Sequence, residues 1–372
     1  MNPVYIRPVL TKADLREFIL FEWIPNKAYP NWVPPLRLDR RKTLDRKKNP
    51  FFQHAQMELF LAERNGTTVG RIAAIINENH IKEHNEKVGF FGFFECFDDQ
   101  ETATVLLDTA AAWLKERGME AIRGPVSPSV NDLYGLLVEG FDRPPTILMP
   151  YNPPYYAALI EKAGLAKIKD LYAYLVSHDK VFTEKLVRMS EVVKKRTGVV
   201  FRTIDMKNFD REVRTIHELY SRGWERNWGE VPMTDAEFDF LAADLKPVVD
   251  PRVVIMAEIK GKPVGFGLAL PDLNMILKDN KRGYLIPALI RMLLFKKKIN
   301  FVRIITLGVL PEYLHTGIGA VLFYETGRRG VDNGFLHGEA SWVLEDNVMM
   351  IRGAELMNGE LWKRYRLYQK AL

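Results

Sequence analysis

The stretch VLPEYLHTGIGAVLF (309–323) places Gly317 and Gly319 between an apolar run interrupted at Pro311 and a second apolar run. Glycines where a helix begins let backbone N–H groups approach phosphate oxygens with no Cβ in the way. The helix N-terminus adds unpaired donors and the positive end of its dipole. The backbone donors of His315, Thr316, Gly317, Ile318, Gly319 and Ala320 are therefore candidates to cradle a pyrophosphate. A second stretch, GEASWVLEDN (338–347), alternates Glu339 and Ser341 onto one face of a strand and delivers Glu345, Asp346 and Asn347 at its end. Open α/β sites carry their chemistry at strand ends, so Glu345 is the first choice for a general base, with Glu339 behind it. Asp346 and Asn347 also suit a helix cap. Glu95 lies inside the aromatic run GFFGFFECF, where a carboxylate must be hydrogen-bonded or hold its proton. It serves there as a structural partner or as a base facing a pocket. YNPPYY (151–156) is loop by its prolines. Glu95, Asn131, Asn152 and Tyr155 are the candidate lining of an acceptor pocket.

The elements that must position these residues occur twice. ELFLAERNGTTVGRIAAIIN (58–77) matches VVIMAEIKGKPVGFGLALPD (253–272) at Ala62/Ala257, Glu63/Glu258, Gly66/Gly261, Val69/Val264 and Gly70/Gly265. Repeats take precedence over any single motif. The same spacing relates IRPVLTKADLREF to the stretch that starts at Phe201, Asn152 to Asn347 and Gly164 to Gly359. Each copy reads as a strand with a basic residue (Arg7, Arg202), an amphipathic helix, a hairpin turning at a glycine, a further strand, a helix ending near Gly118 or Gly330, and a last strand. The second copy gains residues near KRGYLIPALIRMLLFKKK (281–298). The expected domains are 1–176 and 199–372, joined by a linker helix over 177–198.

The composition is that of a globular chain of two domains: 372 residues, 47% hydrophobic and 27% charged. One cysteine, Cys96, excludes an internal disulfide and a four-Cys zinc site. Scattered histidines argue against a metal. The first residues lack a basic stretch followed by an apolar core, and no long uncharged apolar run occurs, so the expected location is cytoplasmic.

Strand, helix, hairpin, strand, then strand–loop–helix with G-x-G: this order resembles the GNAT (Gcn5-related N-acetyltransferase) superfamily. Val309, Pro311, Gly317, Ile318 and Gly319 match its acyl-CoA signature, and Asn152 with IEKAGL (160–165) echoes its last motif. PNWVPPL, NPFFQHA, VGRIAAIIN, GFFGFFE, YNPPYY and SWVLEDN carry a resemblance to a bacterial family of tandem GNAT proteins. The resemblance implies an α/β (mixed α+β sheet) fold used twice, and transfer of an acyl group to an amine from acyl-CoA, with acetyl-CoA the default donor and a longer acyl-CoA the alternative. It implies that Val309 and Leu310, at a splayed strand end, and Asn347 also face the co-substrate. The chain departs from the pattern in three places. Leu314 stands where the family has Gln or Arg. Val105 and Leu107, behind the acidic FDDQET, stand where the first copy needs its glycines, so acyl-CoA is expected in the second copy alone. Ile160 and Glu355 replace the family's tyrosine acid, leaving Tyr365 of RYRLY as the candidate.

Partners are expected to be a small-molecule or lipid-like amine, with no DNA and no metal. The basic run LRLDRRKTLDRKKNP (36–50) reads as a solvated face, and 284–295 as a buried helix or a segment seeking an anionic lipid surface. Two rivals remain open: a Fem-like transferase drawing on aminoacyl-tRNA, and a non-catalytic acyl-CoA-binding module.

Overall fold

A computed structural model describes residues 2–224 and 227–372. Two compact units emerge. The first holds Met1–Asp170, Leu277–Leu293 and Arg364–Leu372; the second holds Leu171–Ile276 and Leu294–Lys363.

In the first unit, β1 (Tyr5–Pro8), β2 (Ala55–Arg64), β3 (Thr67–Asn77) and β4 (Val88–Cys96) run antiparallel in that order. β5 (Ala121–Gly124) pairs parallel with β4. Two short strands, β6 (Val126–Ser127) and β7 (Leu133–Tyr134), form a hairpin of their own, followed by β8 (Leu136–Glu139). Helix Gln100–Lys115 lays Ala103, Leu106, Leu107, Ala110 and Leu114 onto the sheet, where Ile72, Ala74, Phe91 and Ile122 complete the core. β9 (Ala166–Ser177) leads from the first unit into the second.

The second unit repeats the plan. β10 (Val200–Thr203), β11 (Val254–Ile259), β12 (Lys262–Pro271) and β13 (Phe301–Val309) are antiparallel, and β14 (His337–Leu344) pairs parallel with β13 and antiparallel with β9. The final strand, β15 (Glu360–Ala371), returns the chain to the first unit, where its second half pairs with β5 and β8. Its first unit segment therefore begins at Arg364.

The repeat extends to single atoms. Ala62 faces Gly70 and Ala257 faces Gly265 across the hairpins, and each ladder breaks register at the next residue. The turn residues Asn65 and Gly66, like Lys260 and Gly261, have positive φ, as a tight hairpin turn requires. Arg7 Nε donates to Glu63 at 2.5 Å and its Nη2 to Glu17 at 2.8 Å. Arg202 makes the equivalent bonds to Glu258 at 2.7 Å and Glu212 at 2.9 Å.

Three elements differ from the sequence reading. The second copy's long helix, Ile318–Asp332, runs through Gly330 and stops before Gly334, whose φ of +88° ends it. Helix Glu184–Thr197, in the segment read as a linker, folds with the second unit, where Lys194 Nζ pairs with buried Glu325 at 2.5 Å. The basic run is only partly a solvated face: Arg40 turns inward and donates twice to Glu22, at 2.8 and 2.7 Å.

Candidate active site

In the second unit, β13 and β14 are neighbours only from Phe301/His337 to Ile304/Ala340. On its other side β14 is paired with β9 from His337/Ser177 onward, and past a register shift it stays with β9 at Val343/Tyr172 and Leu344/Leu171, where β13 no longer accompanies it. The two parallel strands therefore splay. Thr306 lies in the part of β13 past the splay, and its buried hydroxyl has no hydrogen-bond partner among the described residues. Pro311–Thr316 form a short 3-10 stretch from the strand to Gly317. Gly317 has φ +85°, and a Cβ there would lie 2.9 Å from Val193 Cγ2, so both backbone and packing demand glycine. Gly319 is different: nothing lies within 4 Å of where its Cβ would be. The first turn of a long helix thus opens onto free space at one glycine, as a backbone cradle for a pyrophosphate requires. Ile318 is fully buried and anchors that turn, while His315 is exposed. Leu310 N–H donates to Val264 O at 2.9 Å, so that amide is spent on the sheet and not on a co-substrate.

Arg196, which the sequence reading passed over, reaches this loop. Its Nη2 donates to the Thr316 carbonyl at 2.6 Å. A guanidinium from another helix is thereby placed beside the loop whose own side chain, Leu314, is apolar. The basic cluster at that helix's C-terminus (Lys194, Lys195, Arg196) was the available signal, and it also suits the dipole.

The carboxylates of GEASWVLEDN part company. Glu339 is fully buried. It accepts from Ser341 Oγ at 2.8 Å and from Lys363 Nζ at 3.1 Å, and Lys363 is itself without exposed surface. Arg303 Nε donates to the same Ser341 Oγ at 3.0 Å. Glu339 is thus one member of a closed ionic network, and its second place as a base is withdrawn: a base must meet its substrate. Glu345 follows β14 directly and stays half-exposed. Asn347 is the N-cap of helix Val348–Leu356, accepting from Met350 N–H at 3.1 Å. Its side-chain oxygen is committed to the backbone.

The remaining candidates lie in the first unit. Tyr365 is fully buried in β15 and offers no surface to a leaving thiolate. Asn152 spends its amide on the backbone, accepting from Leu137 N–H at 2.8 Å and donating to Leu137 O and Pro153 O. Tyr155 donates to Cys96 O at 2.9 Å, and Asn131 N–H bonds Ser129 Oγ at 3.1 Å. β4 and β5 also splay, after Phe90/Arg123, but the chain fills the gap itself. A Cβ on Gly92 would lie 1.8 Å from the Val126 carbonyl oxygen, and Ser127 Oγ accepts from Phe93 N–H at 2.8 Å.

Glu95 is the centre of a buried polar cluster. Its carboxylate accepts from Asn26 Nδ2 at 2.8 Å and Tyr156 OH at 2.7 Å, with Arg71 at 3.6 Å and Glu22 beyond. Burial pushes the Glu95 carboxyl up to about 7, against the pull of Arg71 and with the push of Glu22. Burial also raises Glu22, but Arg40 and Arg71 outweigh it and hold that carboxyl below its ordinary value. Between the ordinary 4.5 of Glu95 and about 7 the folded chain keeps a proton that the unfolded chain has lost. Rising pH therefore removes stability, by up to ~1.4 kcal/mol per pH unit. Glu95→Gln lacks this slope. Urea unfolding is expected to show the variant gaining on the wild type by up to about 3 kcal/mol as pH rises through that window. Parallel stability curves for the two proteins would refute the shift.

Among the described residues no cluster of His, Cys, Asp and Glu has the makings of a metal site.

Compared with known proteins, the chain matches no family model. It is 38% identical to a protein named bacterial ceramide synthase from Caulobacter vibrioides, over 98% of this chain and 97% of that one. It is 36% identical to Protein YghO of Escherichia coli, over 99% and 95%. Among solved structures it resembles a tandem GNAT protein from the clavulanic acid biosynthesis pathway, at 12% identity and TM-score 0.58, over 99% and 98% of the two chains. A GCN5-related N-acetyltransferase from Sphaerobacter thermophilus is similar over 100% and 97%, at 14% identity and TM-score 0.53. The structural likenesses establish the fold, that of a tandem GNAT protein, and the two full-length relatives establish the family: this chain belongs with the bacterial ceramide synthase of Caulobacter vibrioides and Protein YghO of Escherichia coli.

Proposed function

We propose that the chain is an acyl-CoA-dependent N-acyltransferase whose acceptor is a lipid-like amine. The observation that carries this reading is the splay of β13 from β14 beside the open helix start at Gly319. The residues fit the co-substrate. The amides of the Ile318–Asp332 helix start would hold the pyrophosphate, and Thr306 would meet an amide of the pantetheine arm. Acyl-CoA supplies an activated thioester carbonyl. The protein's tasks are to orient it, to polarise it with backbone N–H groups and to relieve the incoming ammonium of a proton. Glu345, half-exposed at the end of β14, is assigned the last task. The acceptor class rests on the relative named for ceramide, which is an amide of a long-chain amine and a fatty acid. That chemistry favours a long acyl donor over acetyl.

Calorimetric titration with palmitoyl-CoA and acetyl-CoA tests the donor, with tighter binding of the palmitoyl form expected. Turnover with a long-chain amine then tests the base. Glu345→Gln is expected to lower kcat by ~100-fold or more while the affinity for acyl-CoA stays unchanged. Unchanged kcat would remove Glu345 from the mechanism. The aminoacyl-tRNA rival needs a broad basic face, and Arg40 is withdrawn from that face by Glu22. Salt-dependent tRNA binding without acyl-CoA binding would reinstate it.

A further inference from the structure

Helix Leu285–Phe295 leaves most of its apolar side chains exposed. Leu293 is 85% exposed, Ile286 72%, Leu294 64% and Leu289 53%, and Ala288 is its buried contact. A solvated face of this kind stands out, since isolated exposed leucines are ordinary but a contiguous set on one short helix marks a contact surface. Two further features say what that surface meets. Residues 278–298 carry seven basic side chains and one acidic, and Lys296, Lys297 and Lys298 follow the helix directly and are exposed. At the other end of the helix a groove of about 290 Å³ opens in the first unit, lined by Arg16, Arg37, Arg41, Leu38, Tyr284 and Leu285. Arg37 lies 4.6 Å above the Tyr284 ring, and its buried Nε has no hydrogen-bond partner among the described residues. Apolar residues flanked at both ends by cations match a layer of acyl chains under anionic headgroups. A helix of 11 residues, about 16 Å long, is too short to span that layer.

We infer that this helix, its lysine turn and the arginine groove dock the protein on the surface of an anionic phospholipid bilayer. The helix lies in the plane of the interface with Ile286, Leu289 and Leu293 below the headgroups. The inference goes beyond acyl transfer and does not depend on it.

The test is flotation of the whole protein with vesicles of phosphatidylcholine alone, or of phosphatidylcholine mixed with phosphatidylglycerol. The wild type is expected to float with the mixed vesicles and to be released by salt. The triple variant Ile286→Asp, Leu289→Asp, Leu293→Asp is expected to lose at least tenfold of that binding. These side chains are exposed, so its melting temperature and acyl-CoA titration should match the wild type. Lys296→Gln, Lys297→Gln, Lys298→Gln is expected to lose the preference for anionic vesicles. Failure of the wild type to float, or flotation that survives the triple aspartate variant, overturns the inference. So does a wild-type dimer in sedimentation that the aspartates dissociate, with no vesicle binding, since the face then belongs to a second copy. An acyl-CoA titration that fails while flotation succeeds would strike the proposed reaction and leave the docking surface standing.

Discussion

Gly319→Glu is expected to abolish acyl-CoA binding while leaving the fold intact. The new Cβ enters open space, since nothing lies within 4 Å of it. The carboxylate then sits at the helix start where the pyrophosphate would lie. Two like charges about 5 Å apart at an effective dielectric near 20 repel by roughly 3 kcal/mol, or about a hundredfold in affinity. Calorimetry with palmitoyl-CoA reads the loss, and an unchanged melting temperature shows that folding was spared. Gly317 makes a poorer probe. Its φ of +85° and the 2.9 Å approach to Val193 make any side chain strained, so Gly317→Ala is expected to lose stability before it says anything about ligand. Retention of wild-type affinity by Gly319→Glu would place the phosphates elsewhere and end the cradle assignment.

Lys363→Met is expected to destabilise the second unit by about 3–5 kcal/mol, the cost of removing one partner from a buried ion pair. Lys363 and Glu339 have no exposed surface and approach to 3.1 Å. Ser341 Oγ joins them to Arg303, which also stacks over Trp342 at 4.8 Å. Glu339→Gln should cost a similar amount by stranding the ammonium. The pair Lys363→Met with Glu339→Leu is expected to recover much of the loss, because apolar replacement of a whole buried ion pair is often neutral. Urea unfolding of the two single variants and the double gives the coupling energy directly. Additive losses would show that the two side chains do not depend on one another. The same cycle bears on chemistry: if Glu339 served as a base, Glu339→Gln would lose turnover in excess of its loss of folded protein.

Much of this protein was legible in its chain order. The hairpins over 58–77 and 253–272 are specified locally, by alternation and by glycines that accept positive φ, so they were read correctly down to the turn. The strand–loop–helix around Gly317 is likewise a local pattern. Arg7 and Arg202 stood out as equivalent basic residues, and their matching carboxylates follow from the same repeat. Periodicity also identified the helix at 285–295, but it could not say whether its apolar face was covered. That depends on which surfaces the rest of the chain supplies, and the fold buries Ala288 while leaving Ile286, Leu289 and Leu293 exposed.

The fates of the carboxylates could not be read in the same way. Residue type and position make both Glu339, on the strand's face, and Glu345, at its end, candidates for a base, with Glu345 first. Only the tertiary structure brought Lys363, 24 residues on, to Glu339 and left Glu345 half-exposed. Asn152 and Asn347 matched a motif, yet one pins Leu137 and the other caps a helix, because each found a backbone group within reach. The charge around Glu95 likewise draws on Glu22, Asn26, Arg71 and Tyr156, which no local spacing connects. The sequence by itself determined the repeat, the order of elements and the place of the open helix start. The tertiary structure decided which polar groups are buried in the fold and which keep exposed surface. The physical reason is that backbone geometry and hydrophobic period act over a few residues, whereas the state of a buried charge is set by whatever partner the fold carries to within hydrogen-bond reach.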